Sequence, residues 1–153
     1  MTAEGYPRGL LDTNIMILRG RIDAAELPAE VAISAVTLAE LSAGPHHVRR
    51  GNEGGGDDEH AERARRLDVL QRAESEFDPI PFDAEAARIY GRVTAAVIAA
   101  GRKPRRRIAD LMIASIAIAE DLPLFTTNPD DFAGLEDLLP IVAVTRPDPP
   151  QPG

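Results

Sequence analysis

The sequence contains no cysteine and no tryptophan, only three histidines, and a single lysine among 153 residues. Without cysteine there are no disulfides, thiolate metal sites or cysteine nucleophiles. Three histidines, two of them adjacent at His46 and His47, are too few for an ordinary zinc site. Any resident metal must therefore sit among oxygen ligands, as magnesium, manganese and calcium do. No apolar run approaches the roughly 20 residues that span a bilayer, and the N-terminus lacks a basic flank followed by an apolar stretch. The chain is accordingly expected to be cytoplasmic, with no membrane partner. A formal charge of −8 is the wrong sign for a general nucleic-acid binder.

What is present reads as one α/β domain over residues 1–146. Short apolar runs at Gly9–Leu11, Glu30–Ser34, Phe77–Phe82, Leu122–Thr126 and Ile141–Val144 are expected strands. Between them lie a helical turn after Asp12, a helix over AVTLAELSA capped by Ser34, and a polar helix from about Glu59 to Glu76. Asp83 caps an amphipathic helix carrying Ile89, Val93 and Val97. Residues 108–120 (IADLMIASIAIAE) are apolar nearly all round, as in a helix buried within a fold. This alternation predicts a central, mainly parallel sheet of about five strands flanked by helices. Residues 48–58 read as a flexible glycine-rich loop and residues 147–153 as a disordered proline-rich tail.

Three acids stand where such a fold builds sites. Asp12 follows the first strand, and in open α/β sheets ligands bind at the carboxyl ends of strands. An aspartate there also serves as a helix cap, and both readings remain open. Glu40 lies in a short helix between apolar neighbours, either on its solvent face or over a site. Asp110 occupies the first turn of the most apolar helix, where the helix dipole favours it and where the core is near. Gathered together without basic partners, three carboxylates repel and raise one another's pKa. A divalent cation removes that penalty, and magnesium needs only a few carboxylates because it keeps several waters.

Four segments carry a resemblance. Leu10-Leu-Asp-Thr-Asn14, Thr37-Leu-Ala-Glu-Leu41, Ile108-Ala-Asp-Leu-Met-Ile-Ala114 and Thr126-Thr-Asn-Pro-Asp-Asp-Phe132 resemble, in order, the signature segments of PIN domains. Among these the chain is most similar to VapC toxins of bacterial toxin–antitoxin systems. The resemblance implies a PIN-like three-layer fold and magnesium-dependent endoribonuclease activity on cellular RNA, transfer or ribosomal, with manganese a possible substitute. It also implies a homodimer neutralised by a cognate VapB-type antitoxin. By segment match Asp12, Glu40 and Asp110 become the metal ligands, with Asp131 a fourth acidic member of the site. Thr13, Asn14 and Thr126 are then supporting residues. Asn128 stands where fuller versions of the fourth segment have an acid, and is a further supporting residue.

The densest positive stretch, Arg102, Lys103, Arg105, Arg106 and Arg107, ends three residues before Asp110. It is the expected contact for RNA phosphates, or alternatively a solvated loop or a contact for antitoxin acids. Arg49, Arg50, Arg63, Arg65 and Arg66 are more dispersed and read as a solvated face. An aspartyl phosphatase would want an acid where Asn14 stands. A phospho-receiver would want a lysine late in the chain, whereas Lys103 precedes Asp110. The remaining alternative is a PIN-like domain that binds a partner without cutting, for which Asn128 and the acidic surface speak.

Overall fold

Consecutive residues of the two central strands face opposite ways, and this alternation organises the molecule. The computed structural model describes residues 5–48 and 56–149. Strands β1 (Arg8–Leu11), β2 (Glu30–Ala32), β3 (Leu124–Thr126) and β4 (Ile141–Ala143) form a wholly parallel sheet in the order β2-β1-β3-β4. Leu10 and Leu124 point into one core with helices α4 (Ala84–Ala99) and α5 (Ile108–Ala119). Leu11 and Phe125 point into a second core with α1 (Thr13–Leu18), α2 (Ala35–Ala43) and α3 (Gly56–Glu76). Both faces of the sheet are thus covered, as a parallel sheet requires. Phe125 is fully buried, and truncating it to alanine should cost about 3–5 kcal/mol. Gly9 is needed beside it, because a Cβ at that position would run into the Phe125 ring.

The expected fifth strand at Phe77–Phe82 shrinks to one parallel bridge, Ser34 to Ile80. Ile80 donates to the carbonyl of Ile33 at 2.9 Å, and Ala35 donates to that of Ile80 at 2.8 Å. Pro79 and Pro81 on either side have no N–H to extend the ladder. The sheet therefore has four strands rather than about five.

Helix α3 begins at Gly56, three residues before the sequence placed it. The expected loop at 48–58 lies mostly outside the described residues, as does the tail beyond 149. Pro147–Pro149 have no regular structure, and the carbonyl of Asp148 accepts a hydrogen bond from Arg21 at 2.6 Å. Among the described residues no helix is long and apolar enough to cross a membrane.

Candidate active site

The chain leaves β1 toward β2 on one side and leaves β3 toward β4 on the other, so a crevice opens between the ends of β1 and β3. This is the switch point at which open parallel sheets bind ligands. Asp12 sits there, 3% exposed, with its backbone N–H on the carbonyl of Phe125 at 3.0 Å. Its carboxylate receives two donors: Thr13 N at 2.8 Å on Oδ1 and the Thr126 hydroxyl at 2.9 Å on Oδ2. Asn128 N in turn donates to Thr126 Oγ1 at 3.0 Å. Burial pushes the Asp12 carboxyl above its usual range, against the pull of those donors, and the negative charges of Glu40 and Asp131 add to the rise.

Glu40 is brought over the same crevice by α2, whose N-cap is Ser34. The Thr13 hydroxyl donates to Glu40 Oε1 at 2.6 Å. A hydroxyl has one proton, so the 3.0 Å contact between Thr13 and Thr37 must be donated by Thr37. Ser34 Oγ donates to Thr37 Oγ1 at 3.4 Å and itself accepts from Thr37 N at 3.0 Å. The result is a directed chain, Ser34 to Thr37 to Thr13 to Glu40, whose hydroxyl protons all point toward the carboxylate. Ser34 and Thr37 are fully buried, so an unmatched hydroxyl there would be costly.

Asp110 enters from the first turn of α5. Its carboxyl is pushed up from an ordinary 3.8 to about 7, first by burial and then by Asp12, Asp131 and Glu40. Arg107 opposes that rise. The Arg107 guanidinium contacts the Asp131 carboxylate directly and stands 3.8 Å from that of Asp110. Asp131 lies on a 3-10 turn, Pro129–Phe132, beyond β3.

Asp12, Glu40 and Asp110 thus line one cleft of about 740 Å³, together with Thr13 and Asn14. Thr126 reaches it through Asp12, and Asn128 contributes its backbone N–H. Thr13 serves both acids, the first through its amide and the second through its hydroxyl.

The basic stretch divides. Arg107 belongs to the acids, and Arg102 is tied to the carbonyl of Asp130 at 2.7 Å. Lys103, Arg105 and Arg106 are exposed and stand outside the cleft. Cleft cations come instead from Arg21, Arg65 and Arg66, the last two on a helix face that the sequence presents as merely solvated.

Thr37, Ser34 and these arginines were the residues that sequence reasoning missed. Thr37 had a usable signal, because it precedes Glu40 by three and so shares its helix face.

A PIN-domain family model matches residues 9–138 of the chain. The chain belongs to the PIN-domain family. Ribonuclease VapC5 of Mycobacterium tuberculosis is 37% identical over 131 residues, 84% of this chain and 87% of that protein. Ribonuclease VapC8 of the same organism is 36% identical over 118 residues, 76% of this chain and 96% of its own. The crystal structure of VapBC-5 from Mycobacterium tuberculosis, a member of the VapBC family of toxin–antitoxin systems, is similar with a TM-score of 0.73. It shares 34% identity, over 90% of this chain and 99% of that one. The matched range of this PIN domain includes Asp12, Glu40, Asp110 and Thr126.

Proposed function

We propose that the chain is a magnesium-dependent endoribonuclease, the toxin of a toxin–antitoxin pair, which hydrolyses phosphodiester bonds in transfer or ribosomal RNA. The observation that carries this reading is the convergence of Asp12, Glu40 and Asp110 on one cleft, where burial and the neighbouring acids push the Asp110 carboxyl up to about 7. Carboxylates crowded to this degree raise the free energy of the metal-free site, and a divalent cation relieves it. The names of the similar proteins, two ribonucleases and a toxin–antitoxin complex, support the same reading.

The donor set suits magnesium, with manganese as a substitute, because it is built of oxygen alone. Among the described residues no group of three or more His, Asp or Glu side chains is placed to hold a metal ion as it stands. Magnesium keeps much of its water and takes only one or two carboxylates directly, leaving the remaining acids to act through that water. Asp12, Glu40 and Asp110 would hold it, and the chemistry it supplies when bound is charge neutralisation at the scissile phosphate and activation of water.

The chain's own residues set the stage for that chemistry. Thr13 and Thr126 fix the orientation of Glu40 and Asp12. Asp110 must give up its proton, which it does at near-neutral pH. Arg107 keeps Asp131 and Asp110 partly compensated until a stronger cation arrives.

A VapB-type antitoxin and a second copy of the chain complete the proposal. Exposed Ile98, Ile108 and Leu138 are apolar surface that such partners could cover. Action on cellular RNA implies a cytoplasmic location.

The test incubates antitoxin-free protein with bulk transfer and ribosomal RNA, with magnesium or with chelator, beside Asp110→Asn. Discrete cuts that require magnesium and drop by roughly a thousandfold in the variant are expected. Equal cutting by both proteins would remove Asp110 from the site. Neither cutting nor any metal-dependent thermal stabilisation would sink the site and favour the partner-binding alternative, to which Asn128 lends weight.

A further inference from the structure

The acid-lined cleft continues onto α3, where two arginines join Glu62 and Asp68 in lining it. Arg65 and Arg66 line it together with Glu62, and the two guanidiniums converge on that one carboxylate. Arg65 donates to Glu62 Oε2 from Nε at 3.1 Å and from Nη2 at 2.6 Å. Arg66 donates to Oε1 from Nε at 2.9 Å. Arg66 is also pinned by the carbonyl of Gly44 at 2.8 Å, which fixes it at the corner of α2 and α3. Other arginines nearby answer acids elsewhere: Arg19 pairs with Glu76 and Arg72 with Asp68.

Two oxygens on one centre, gripped by two guanidinium planes, is the geometry in which arginine binds a phosphodiester. Ile17, Leu18 and Val69 line the same cleft. Ile17 is 54% exposed, an unusual state for a large aliphatic residue that borders a charged site. Cation pair, apolar surface and the three acids line a single groove. A polynucleotide strand presents matching groups, phosphates for the cations and base and ribose for the apolar surface. An acidic peptide matches the arginines alone and sets its remaining carboxylates against Asp12, Glu40 and Asp110.

We propose that Arg65 and Arg66 form a phosphate subsite for unpaired RNA beside the hydrolytic acids, and that Glu62 occupies it as an internal anion until RNA displaces it. This subsite rests on the ribonuclease reading above. The substrate phosphate takes over the guanidinium donors, and Glu62 swings to solvent, which its 38% side-chain exposure permits. The strand then runs along Ile17 and Leu18 to place a neighbouring phosphodiester at the acids.

The experiment measures binding of a short fluorescein-labelled polyuridine to the full chain by anisotropy, in chelator so that nothing is cut. Glu62→Gln loosens the internal anion and should tighten binding about threefold, a gain that misfolding cannot mimic. Glu85→Gln, the same charge change on exposed α4, should leave binding nearly unaltered. Arg65→Ala should weaken binding about tenfold and lower the salt slope by about one, with partial recovery in Arg65→Lys.

Equal tightening by Glu62→Gln and Glu85→Gln would overturn the proposal, since net charge alone would then be at work. So would an Arg65→Ala variant that keeps RNA binding but loses binding to polyglutamate, which would give the arginines to an acidic protein partner. Cutting of bulk RNA with magnesium is scored separately on the same samples. RNA binding that follows Arg65 and Glu62 in a wild type that never cuts keeps the subsite and removes the nuclease. Cutting that depends on Asp110 but not on Arg65 does the reverse.

Discussion

The two sides of the crevice hold their acids by different means. On the β1–α2 side Asp12 and Glu40 are oriented by neutral donors, one backbone amide and two threonine hydroxyls, backed by a buried chain to Ser34. On the α5 side Asp110 and Asp131 share one guanidinium, that of Arg107, about a third exposed and reaching across from the preceding turn. Neutral donors set direction without cancelling charge, so the first side keeps its geometry whatever ion is present. The second side cancels charge with a side chain that can withdraw. One half of the site is therefore prebuilt by neutral donors, and the other is held by a single cation.

The sharpest way to break the contrast is Thr126→Val. Asp12 loses its one side-chain donor among the described residues while staying buried, and its carboxylate is freed to turn. Magnesium-dependent RNA cutting should fall about a hundredfold, measured under single-turnover conditions, because misplacement near the reacting centre is costly. Thr37→Val acts one step further out. It leaves Thr13 without its incoming donor, and cutting should fall about tenfold, with Thr37→Ser restoring most of it. Calorimetric titration with manganese should show the same loss of affinity, which a purely structural effect would not produce.

Arg107→Gln tests the other half, and the sign should reverse. With the competing cation gone, manganese affinity at alkaline pH should rise by about threefold. Below neutrality the gain should vanish, because Asp110 without Arg107 holds its proton more firmly.

A separate effect is the pH dependence of metal-free stability. Asp110 titrates near 7 in the folded chain and near 3.8 when unfolded, so the folded state binds the extra proton between those values. Its stabilisation is full below about 3.8 and is lost as pH rises through about 7. Chemical denaturation in chelator should show that decline, and Asp110→Asn should flatten it. Cutting should move the other way, rising with pH through the same range as the carboxylate forms.

The prebuilt side was also the more legible one. Asp12 stands at the end of a strand plain from Leu10 and Leu11, and α2 runs over the very residues that Ser34 and Gly44 bracket in the sequence. The early acid of α5 was visible because every residue after it in the helix except Ser115 is apolar. The expected strand at Phe77–Phe82 was misjudged because its apolar residues fit a strand while its two prolines cannot extend a ladder. The arginines of α3 were hidden for another reason. A polar helix with few apolar anchors gives little sign of which face it turns inward, so its packing against α2 and α1 decides that Arg65 and Arg66 meet the cleft. Arg107 was expected to meet RNA because it is positive and near Asp110; its proximity to Asp131 is tertiary and leaves no trace in the spacing.

The alternation of Leu10 with Leu11 and of Leu124 with Phe125 also dictates what kind of genetic change this domain can absorb. Each strand works as a two-position switch, and the register that buries Leu11 with α1 also sets Asp12 beside Thr126. Substituting a core residue weakens one contact and leaves the switch in place. Deleting a single residue from β1 throws it, exchanging the two cores and turning the first acid of the site away from its partner. Strands β1 and β3 should therefore tolerate a change of composition far better than a change of length.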